Sequence, residues 1–368
     1  MRRFLDYYRQ FQELSPEEIS RELLGRRAAE RARALAEVPP LDLTSAAWHE
    51  PPDPEAVNAA TYALRRAVNA YPDTAPLHDA IADRHGIAPA QVAAGHGAGE
   101  LLHATLRAVA ADGEVAIAWP AWGPLPRLVH QAGAEPIPVP LAGGAPDADA
   151  LLEAVGPKTR AVVLCSPNDP TGAVMPPDDL RRLAARLDDA IWLIVDGALA
   201  EFAGAPDDLV GGARERVVVV RSFSKAHAMA GFRAGYALAN DRALLERVAP
   251  AGGVSAPAQA AMLWALRDGD AVVARRRARA ARERERLAAG LRGTPLSFPA
   301  GHGHLVWLGS TAHDGREIAR HLAAQRIYVT PGAAWGDDRH VRIALRDPAA
   351  TDRLIAALRE LTPGTRRA

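Results

Sequence analysis

Arg221-Ser-Phe-Ser-Lys-Ala-His-Ala-Met-Ala-Gly-Phe-Arg-Ala-Gly-Tyr236 follows a run of valines at positions 217–220, and the rest of the chain is interpreted around it. The chain has 44 basic residues but only two lysines, Lys158 and Lys225. Arginine supplies charge but stays protonated, so it cannot act as an amine nucleophile. Lys158 lies in a polar Gly-Pro-Lys-Thr turn, whereas Lys225 lies where a strand is predicted to end. The sequence therefore predicts that Lys225 forms a Schiff base.

The composition is that of a globular enzyme with a substantial core. A length of 368 residues suggests about two domains, and 48% apolar with 24% charged residues is ordinary for such a protein. The formal net charge is zero, so neither a nucleic acid nor a membrane is predicted as a partner. The single cysteine, Cys165, allows no intrachain disulfide, and the first 20 residues lack the apolar core of a signal peptide. We therefore predict a cytoplasmic protein, and no metal site.

Short apolar runs alternate with amphipathic segments through the first two thirds of the chain. The predicted strands cover residues 91–95, 114–119, 135–140, 161–166, 191–196, 216–223 and 234–239. Strands that alternate with helices indicate an α/β fold with a mostly parallel central sheet covered by helices. Residues 1–36 are polar and predicted to be helix-prone.

Around residue 255 the alternation stops, and a long helical stretch is predicted to run to residue 291. Its arginine-rich part, residues 275–286, is interleaved with alanine and glutamate and has no stacking aromatics. That pattern favours a solvated helix face over a nucleic-acid surface. The remaining strands and helices predict a smaller α+β domain. The predicted division of the chain is residues 55–250 for the large domain and residues 1–54 plus 251–368 for the small one.

Polar or glycine-rich stretches follow five of the predicted strands, at the edge where open α/β sheets bind ligands. They contain a glycine-rich helix start at residues 95–100, Trp122, the turn at residues 166–172, Asp196, and the hydroxyls and guanidinium that flank Lys225. The helix start, hydroxyls and guanidinium suit a phosphate, and the buried carboxylate needs a partner such as a pyridinium nitrogen. An indole can stack on a flat ring, although core packing is the alternative for Trp122 and a purely structural turn for residues 166–172. Together with a Schiff-base lysine, these groups meet the needs of pyridoxal 5′-phosphate.

The segment Ser222-Phe-Ser-Lys225 with Gly231-Phe-Arg233 is the most specific motif, and with it the chain resembles a known family over about residues 55–361. It is similar to the class I/II aminotransferases of the fold-type I pyridoxal-phosphate family, in particular the histidinol-phosphate aminotransferase-like branch. The resemblance implies an aspartate aminotransferase-like large domain, pyridoxal 5′-phosphate as cofactor and a homodimer.

The same resemblance implies roles for individual residues. Lys225 would form the Schiff base and shuttle a proton, and Asp196 would face the pyridine nitrogen. The cofactor phosphate would be held by the backbone N–H groups of Ala98 and Gly99 and by the side chains of Ser222, Ser224 and Arg233. Trp122 would stack on the ring, Tyr71 would reach the neighbouring subunit's cofactor phosphate, and Arg342 would grip the substrate carboxylate.

Asp169 and Leu199 depart from the family pattern. The family usually has an asparagine and a tyrosine at these positions, and both donate to the cofactor's phenolic oxygen. An ionised Asp169 near the Schiff base would favour the protonated imine, so we predict that the pKa of this imine is above that typical of the family. The family's second arginine is also missing, with residues 329–332 in its place, which weakens the case for a phosphorylated substrate.

The leading prediction is a pyridoxal-phosphate-dependent aminotransferase that interconverts an amino acid and a 2-oxo acid through Lys225. One alternative is another reaction of the same cofactor, such as decarboxylation, elimination or oxidation, which Asp169 and Leu199 keep open. The other is a cofactor-binding regulator without turnover, but the N-terminal segment is short for a DNA-binding module.

Overall fold

The structure is a computed structural model, and it describes residues 21, 23–26, 30, 38–67, 69–204, 209–212 and 214–361. From residue 38 onward the strands are β1 (Leu41–Asp42), β2 (Val92–Gly95), β3 (Glu114–Trp119), β4 (Glu135–Pro140), β5 (Thr159–Cys165), β6 (Trp192–Asp196), β7 (Val217–Ser222), β8 (Gly235–Ala239), β9 (Leu296–Ser297), β10 (Leu305–Ser310), β11 (Ile327–Tyr328), β12 (Thr330–Pro331) and β13 (His340–Ala344). The helices over the same range are α1 (Pro54–Ala67), α2 (Ala75–His85), α3 (Ala98–Val109), α4 (Leu125–Gln131), α5 (Ala148–Glu153), α6 (Pro177–Arg186), α7 (Ala200–Ala203), α8 (Arg242–Val248), α9 (Ala256–Asp268), α10 (Asp270–Gly290), α11 (Gly315–Ala324) and α12 (Pro348–Leu361).

Within the described residues, the largest sheet has seven strands in the order β2-β8-β7-β6-β5-β3-β4. Its neighbouring strands are parallel except at β8, which is antiparallel to both β2 and β7. Every residue of β6 and of β7 is buried, as expected for central strands covered on both faces. The predicted α/β fold with a mostly parallel central sheet is therefore confirmed.

Alternate side chains of the central strands enter two separate cores. Val217 and Val219 belong to one core, whereas Val218 and Val220 belong to the other, because successive strand residues point to opposite faces. Helices α1, α2, α5, α6 and α9 cover the first face, and α3, α4 and α8 cover the second. These two layers hold the carboxyl ends of the parallel strands in fixed positions.

A smaller antiparallel sheet of order β12-β13-β10-β9 lies beside a parallel pair of β1 and β11. Helices α10, α11 and α12 supply its core with Leu287, Ile318, Leu322, Leu354 and Leu358. Within this sheet, β13 pairs Arg342 with Trp307 of β10. The small sheet thus presents Arg342 at a defined register position.

The seven predicted strands of the large sheet coincide with observed strands to within two residues at each end. The short helices α4, α5 and α8 were not predicted, and the predicted helical stretch of residues 255–291 is two helices separated at Gly269. The prediction for residues 1–36 lies largely outside the described residues. No helix among the described residues is long and apolar enough to cross a membrane.

The prediction of a solvated face for residues 275–286 is wrong for three side chains. Arg276, Glu283 and Arg284 of α10 are buried, whereas Arg275 and Arg282 are exposed. Hydrogen bonds to backbone carbonyls offset the cost of burying the two arginines: Arg276 donates to Ala226 and Pro51, and Arg284 donates to Leu305 and Pro299.

The division of the chain at residue 250 stays a prediction. Helix α9 lies beyond that boundary, yet it contributes Ala258, Ala261, Met262 and Ala265 to the core on the first face of the large sheet.

Candidate active site

The carboxyl ends of the central strands surround a cavity of about 520 Å³. Nine of the residues singled out from the sequence line it: Ala98, Gly99, Trp122, Asp169, Asp196, Ser222, Ser224, Lys225 and Arg233. They come from the ends of β2, β3, β5, β6 and β7 and from the turn that enters β8. The parallel topology therefore brings together residues that are far apart in the chain.

Lys225 lies in the turn after β7, and its backbone is held from several sides. Its carbonyl accepts from Ala228, and the flanking Phe223 donates its N–H to Ala234 while its carbonyl accepts from Met229. The side chain of Phe223 is buried in the core of the first face. Burial lowers the pKa of the Lys225 amine, against the opposing effect of the carboxylates of Asp169 and Asp196. A lysine with a lowered pKa is more readily available as a neutral amine nucleophile.

Asp196 ends β6 and faces the same cavity. Its Oδ1 accepts from the N–H of Ala198 at 2.9 Å, and its Oδ2 lies 3.7 Å from Cys165 Sγ. Burial raises the pKa of the Asp196 carboxyl, while the hydrogen bond from Ala198 and the charge of Lys225 lower it. Burial also raises the pKa of the Cys165 thiol well above its usual value. A buried carboxylate of this kind favours a cationic partner inside the cavity.

Hydrogen-bond donors gather at the other end of the cavity. Helix α3 begins at Ala98, after Gly97 with a φ of 98°, so its first N–H groups have no partner within the helix. A Cβ at Gly97 would lie 2.8 Å from Arg233 Nη2, which shows how closely this guanidinium approaches the helix start. Ser222 and Ser224 line the same cavity, and the Ser222 hydroxyl accepts from the Ser224 N–H at 3.1 Å. This set of donors suits a phosphate dianion.

Trp122 packs against the first turn of α3. A Cβ at Gly99 would lie only 2.7 Å from Cη2 of this indole, so the glycine permits the close approach. Asn168 fixes the loops nearby, because its amide donates to the carbonyl of Pro120 at 3.0 Å and to Thr171 Oγ1 at 3.1 Å. The aromatic ring is thus held on one wall of the cavity.

Asp169 and Arg342 form an ion pair at the edge of the cavity. Arg342 Nη1 donates to Asp169 Oδ1 at 3.2 Å, and Nη2 donates to the carbonyl of Thr44 at 2.8 Å. The guanidinium lies 5.1 Å from the ring centroid of Trp335. Leu199, the second departure from the family pattern, is buried and also lines the cavity.

Tyr71 does not lie with the other predicted residues within this chain. Its side chain is 95% exposed, and it is absent from the cavity lining.

Trp48 is also absent from the cavity lining. It is buried among Leu199, Phe202 and Ala226 and belongs to the hydrophobic core.

Sequence reasoning missed several residues that line the cavity, among them Glu100, His103, Pro124, Arg127 and Leu128. Their signal is weak because they occupy ordinary helical and loop positions. The spacing of Glu100 and His103 on α3 could have indicated that both share the face near its first turn.

The residues present fit pyridoxal 5′-phosphate. The cavity has a donor-rich end beside Arg233, an indole wall at Trp122, a buried carboxylate at Asp196 and an amine at Lys225. In addition, Oδ2 of Asp169 is buried and has no hydrogen-bond partner among the described residues. Such an orphaned oxygen next to a cavity is expected where a ligand completes the site.

Comparisons with known proteins agree with this geometry. The family model for aminotransferase class I and II matches residues 40–358. An aromatic amino acid aminotransferase from Rhodococcus jostii (strain RHA1) is 35% identical over 296 residues, which is 78% of this chain and 81% of that protein.

Two solved structures give the same result. An aspartate aminotransferase variant from Thermus thermophilus has a TM-score of 0.80 at 25% identity, covering 89% of this chain and 98% of that one. A histidinol-phosphate aminotransferase from Sinorhizobium meliloti in complex with pyridoxal-5′-phosphate has a TM-score of 0.79 at 25% identity, covering 90% of this chain and 94% of that one. The chain belongs to the class I and II aminotransferase family of fold-type I and is a pyridoxal-phosphate-dependent aminotransferase.

Proposed function

We propose that Lys225 is the residue that forms the Schiff base in this aminotransferase and that the amino donor is an aromatic amino acid. The observation that carries the first part is the position of Lys225, whose amine shares one cavity with the buried Asp196 and the guanidinium of Arg233. Burial lowers the pKa of this amine, which favours the neutral nucleophile. The other lysine, Lys158, lies exposed near the start of β5.

The other residues of the cavity bind and orient the cofactor. Asp196 holds a proton on the pyridine nitrogen, because a carboxylate buried at this position is stabilised by a cationic neighbour. The N–H groups of Ala98 and Gly99 bind the phosphate at the start of α3. The side chains of Ser222, Ser224 and Arg233 would bind the same phosphate, with Arg233 close to Gly97 at the helix start. Trp122 would stack on the cofactor ring.

When bound, pyridoxal 5′-phosphate supplies an electron sink for negative charge that develops at the substrate Cα. The Nζ of Lys225 would act as the base that removes the proton from the substrate Cα and as the acid that returns it. Arg342 binds the carboxylate of the amino acid or 2-oxo acid, and its contact with Trp335 orients the guanidinium. Leu128, Pro124 and Leu199 are among the apolar residues of the cavity wall, which suits a large apolar side chain.

The choice of an aromatic amino acid rests on the relatives. Curated proteins named aromatic amino acid aminotransferases from Rhodococcus jostii and Mycolicibacterium smegmatis are 35% and 33% identical to this chain. The missing second arginine at residues 329–332 argues in the same direction, since it removes a group that would bind a phosphorylated side chain.

We also propose that the enzyme is a homodimer in which Tyr71 reaches the cofactor phosphate of the neighbouring subunit. Its 95% exposure in the single chain leaves the hydroxyl free to contact a second copy. Sedimentation equilibrium measures the assembly, and a monomer at micromolar concentration would contradict it. The cytoplasmic location stays a prediction.

The test of Lys225 replaces each lysine of the chain in turn. Lys225→Ala is expected to lose the visible absorbance of covalently bound cofactor and to lower kcat by about 10²- to 10⁴-fold, because both the amine and the proton carrier are removed. Lys158→Ala is the matched control and is expected to keep both properties. A Lys225→Ala enzyme that turns over at the parental rate would contradict the assignment.

The donor is identified by incubating the holoenzyme with single amino acids and 2-oxoglutarate. Phenylalanine, tyrosine and tryptophan are expected to give the corresponding 2-oxo acids with higher kcat/KM than aspartate or alanine. Consumption of an aromatic amino acid with release of carbon dioxide or ammonia, and without transfer of the amino group, would instead favour another reaction of the cofactor.

A further inference from the structure

We propose that Asp169 is a specificity-determining residue, because its carboxylate already pairs with the guanidinium of Arg342 that binds the substrate carboxylate. The substrate carboxylate then meets a guanidinium whose positive charge is already partly neutralised. This inference rests on the proposed role of Arg342 in substrate binding. It concerns a residue of this chain at which the family usually has a neutral asparagine.

The hydrogen bonds of Arg342 define the competition. Both terminal nitrogens are engaged, Nη1 with Asp169 Oδ1 at 3.2 Å and Nη2 with the carbonyl of Thr44 at 2.8 Å. The contact of the guanidinium plane with Trp335 restricts its rotation away from these partners. Each terminal nitrogen keeps a second N–H, and Nε has no hydrogen-bond partner among the described residues, so a substrate carboxylate binds beside Asp169 and shares the guanidinium charge with it.

The pair lies where solvent screens it weakly. The side chains of Arg342 and Asp169 are 13% and 7% exposed. Charge-assisted hydrogen bonds at buried positions are stronger than those at the surface, so Asp169 competes effectively for the charge of this guanidinium. A substrate carboxylate bound at the same guanidinium is also repelled by the Asp169 charge, and both effects lower its affinity.

Because the substrate carboxylate contributes less binding free energy, the rest of the substrate must contribute more. Apolar contact with cavity residues such as Leu128 and Leu199 supplies that contribution. The arrangement favours monocarboxylic substrates with a large apolar side chain over small or dicarboxylic ones. Asparagine at the same position would accept from Arg342 only as a neutral group, which leaves the guanidinium more available.

The experiment measures binding of two probes to holoenzyme by titration calorimetry. The first probe is 3-phenylpropanoate, which has the aromatic ring and the carboxylate but no amino group. The second is 3-phenylpropan-1-ol, which lacks the carboxylate. In Asp169→Asn, the Kd of the carboxylate probe is expected to decrease about tenfold while that of the alcohol changes by less than about twofold. Equal tightening of both probes, or an unchanged Kd for the carboxylate, would overturn the proposal.

A double-mutant cycle assigns the effect to Arg342. In the background of Arg342→Gln, replacement of Asp169 by asparagine is expected to give a much smaller gain in carboxylate affinity, because the shared partner is gone and only the repulsion between the two carboxylates is relieved. A tenfold gain that persists without Arg342 would overturn the proposal. Asp169→Ser also removes the charge and replaces Asp169→Asn in the cycle if the asparagine variant does not fold.

Neither probe has an amino group, so the binding ratios do not depend on transamination. Failure of the proposed function appears instead as an active Lys225→Ala enzyme or as a different reaction product.

Discussion

Gly99 shows how one residue without a side chain shapes the cofactor wall. It lies in the first turn of α3, where alanine would be preferred over glycine by about 1 kcal/mol on helix propensity alone. A Cβ at this position would nevertheless lie 2.7 Å from Trp122 Cη2, so the indole would have to move. The identity of this residue is therefore set by the cavity rather than by the helix.

We predict that Gly99→Ala weakens cofactor binding by about tenfold, because overpacking displaces the indole and crowds the first N–H groups of α3. Titration of the apoprotein with pyridoxal 5′-phosphate measures the Kd. Gly156→Ala is the matched control, since a Cβ there meets no atom within 4 Å. An unchanged Kd for Gly99→Ala would show that Trp122 adjusts without consequence for the cofactor.

Single functional residues can be predicted from the sequence when they are unusual for their place in the chain. Lys225 is detectable because lysine is rare in an arginine-rich chain, and Asp196 because a carboxylate ends an apolar run. The contact between Asp169 and Arg342 joins residues 173 positions apart. Spacing along the chain does not show which side chains of the large and small sheets come into contact. The ion pair between Asp169 and Arg342 is therefore visible only in the structure.

Helix α10 links the two sheets through buried arginines. Arg276 donates from Nη1 to the carbonyl of Ala226 and from Nη2 to that of Pro51, each at 2.8 Å. Ala226 directly follows Lys225, so this helix supports the segment that carries the amine. Burial lowers the pKa of the Arg276 guanidinium.

We predict that Arg276→Met destabilises the protein by about 1 to 3 kcal/mol, because the buried carbonyl of Ala226 and the partly buried carbonyl of Pro51 lose their donor while the packing of the aliphatic stem is kept. The same variant is expected to lower kcat, since the turn around Lys225 loses a restraint. Urea unfolding and steady-state kinetics measure the two effects. Arg282→Met changes an exposed arginine of the same helix and is expected to stay within about 0.5 kcal/mol of the parent. Equal stability of the two variants would refute this role of α10.

The short helices and the buried arginines could not be predicted from the sequence, and the physical reasons are clear. Helices α4, α5 and α8 have six or seven residues, too few for a helical period to stand out. The arginines of α10 look solvated because charge is usually exposed, whereas two of them serve as donors to carbonyls in the interior. By contrast, the long apolar runs of β5, β6 and β7 were predictable since both faces of the sheet are covered.

For the molecule as a whole, buried histidines link stability to pH. Burial, with the charges of Arg84 and Arg276, lowers the pKa of His227 from 6.5 to about 3. Burial, with the charge of Lys225, lowers the pKa of His304 to about 3 as well. Both histidines titrate normally once the chain unfolds. Between pH 6.5 and about 3 the unfolded state therefore binds more protons than the folded one.

We predict that the free energy of unfolding falls as the pH decreases from about 7.5 to about 5, with a contribution of about 2 kcal/mol from each of these two histidines. Asp196 and Glu201, whose pKa values are raised by burial, act in the opposite direction, so the histidine effect is isolated by comparing variants. His227→Phe keeps a ring against Phe223 and is expected to reduce the pH-dependent loss by about 2 kcal/mol in urea unfolding. His130→Gln removes a histidine whose side chain is 56% exposed and is the matched control for the loss of a histidine as such. An identical pH dependence in parent and His227→Phe would mean that His227 does not stay neutral in the folded protein.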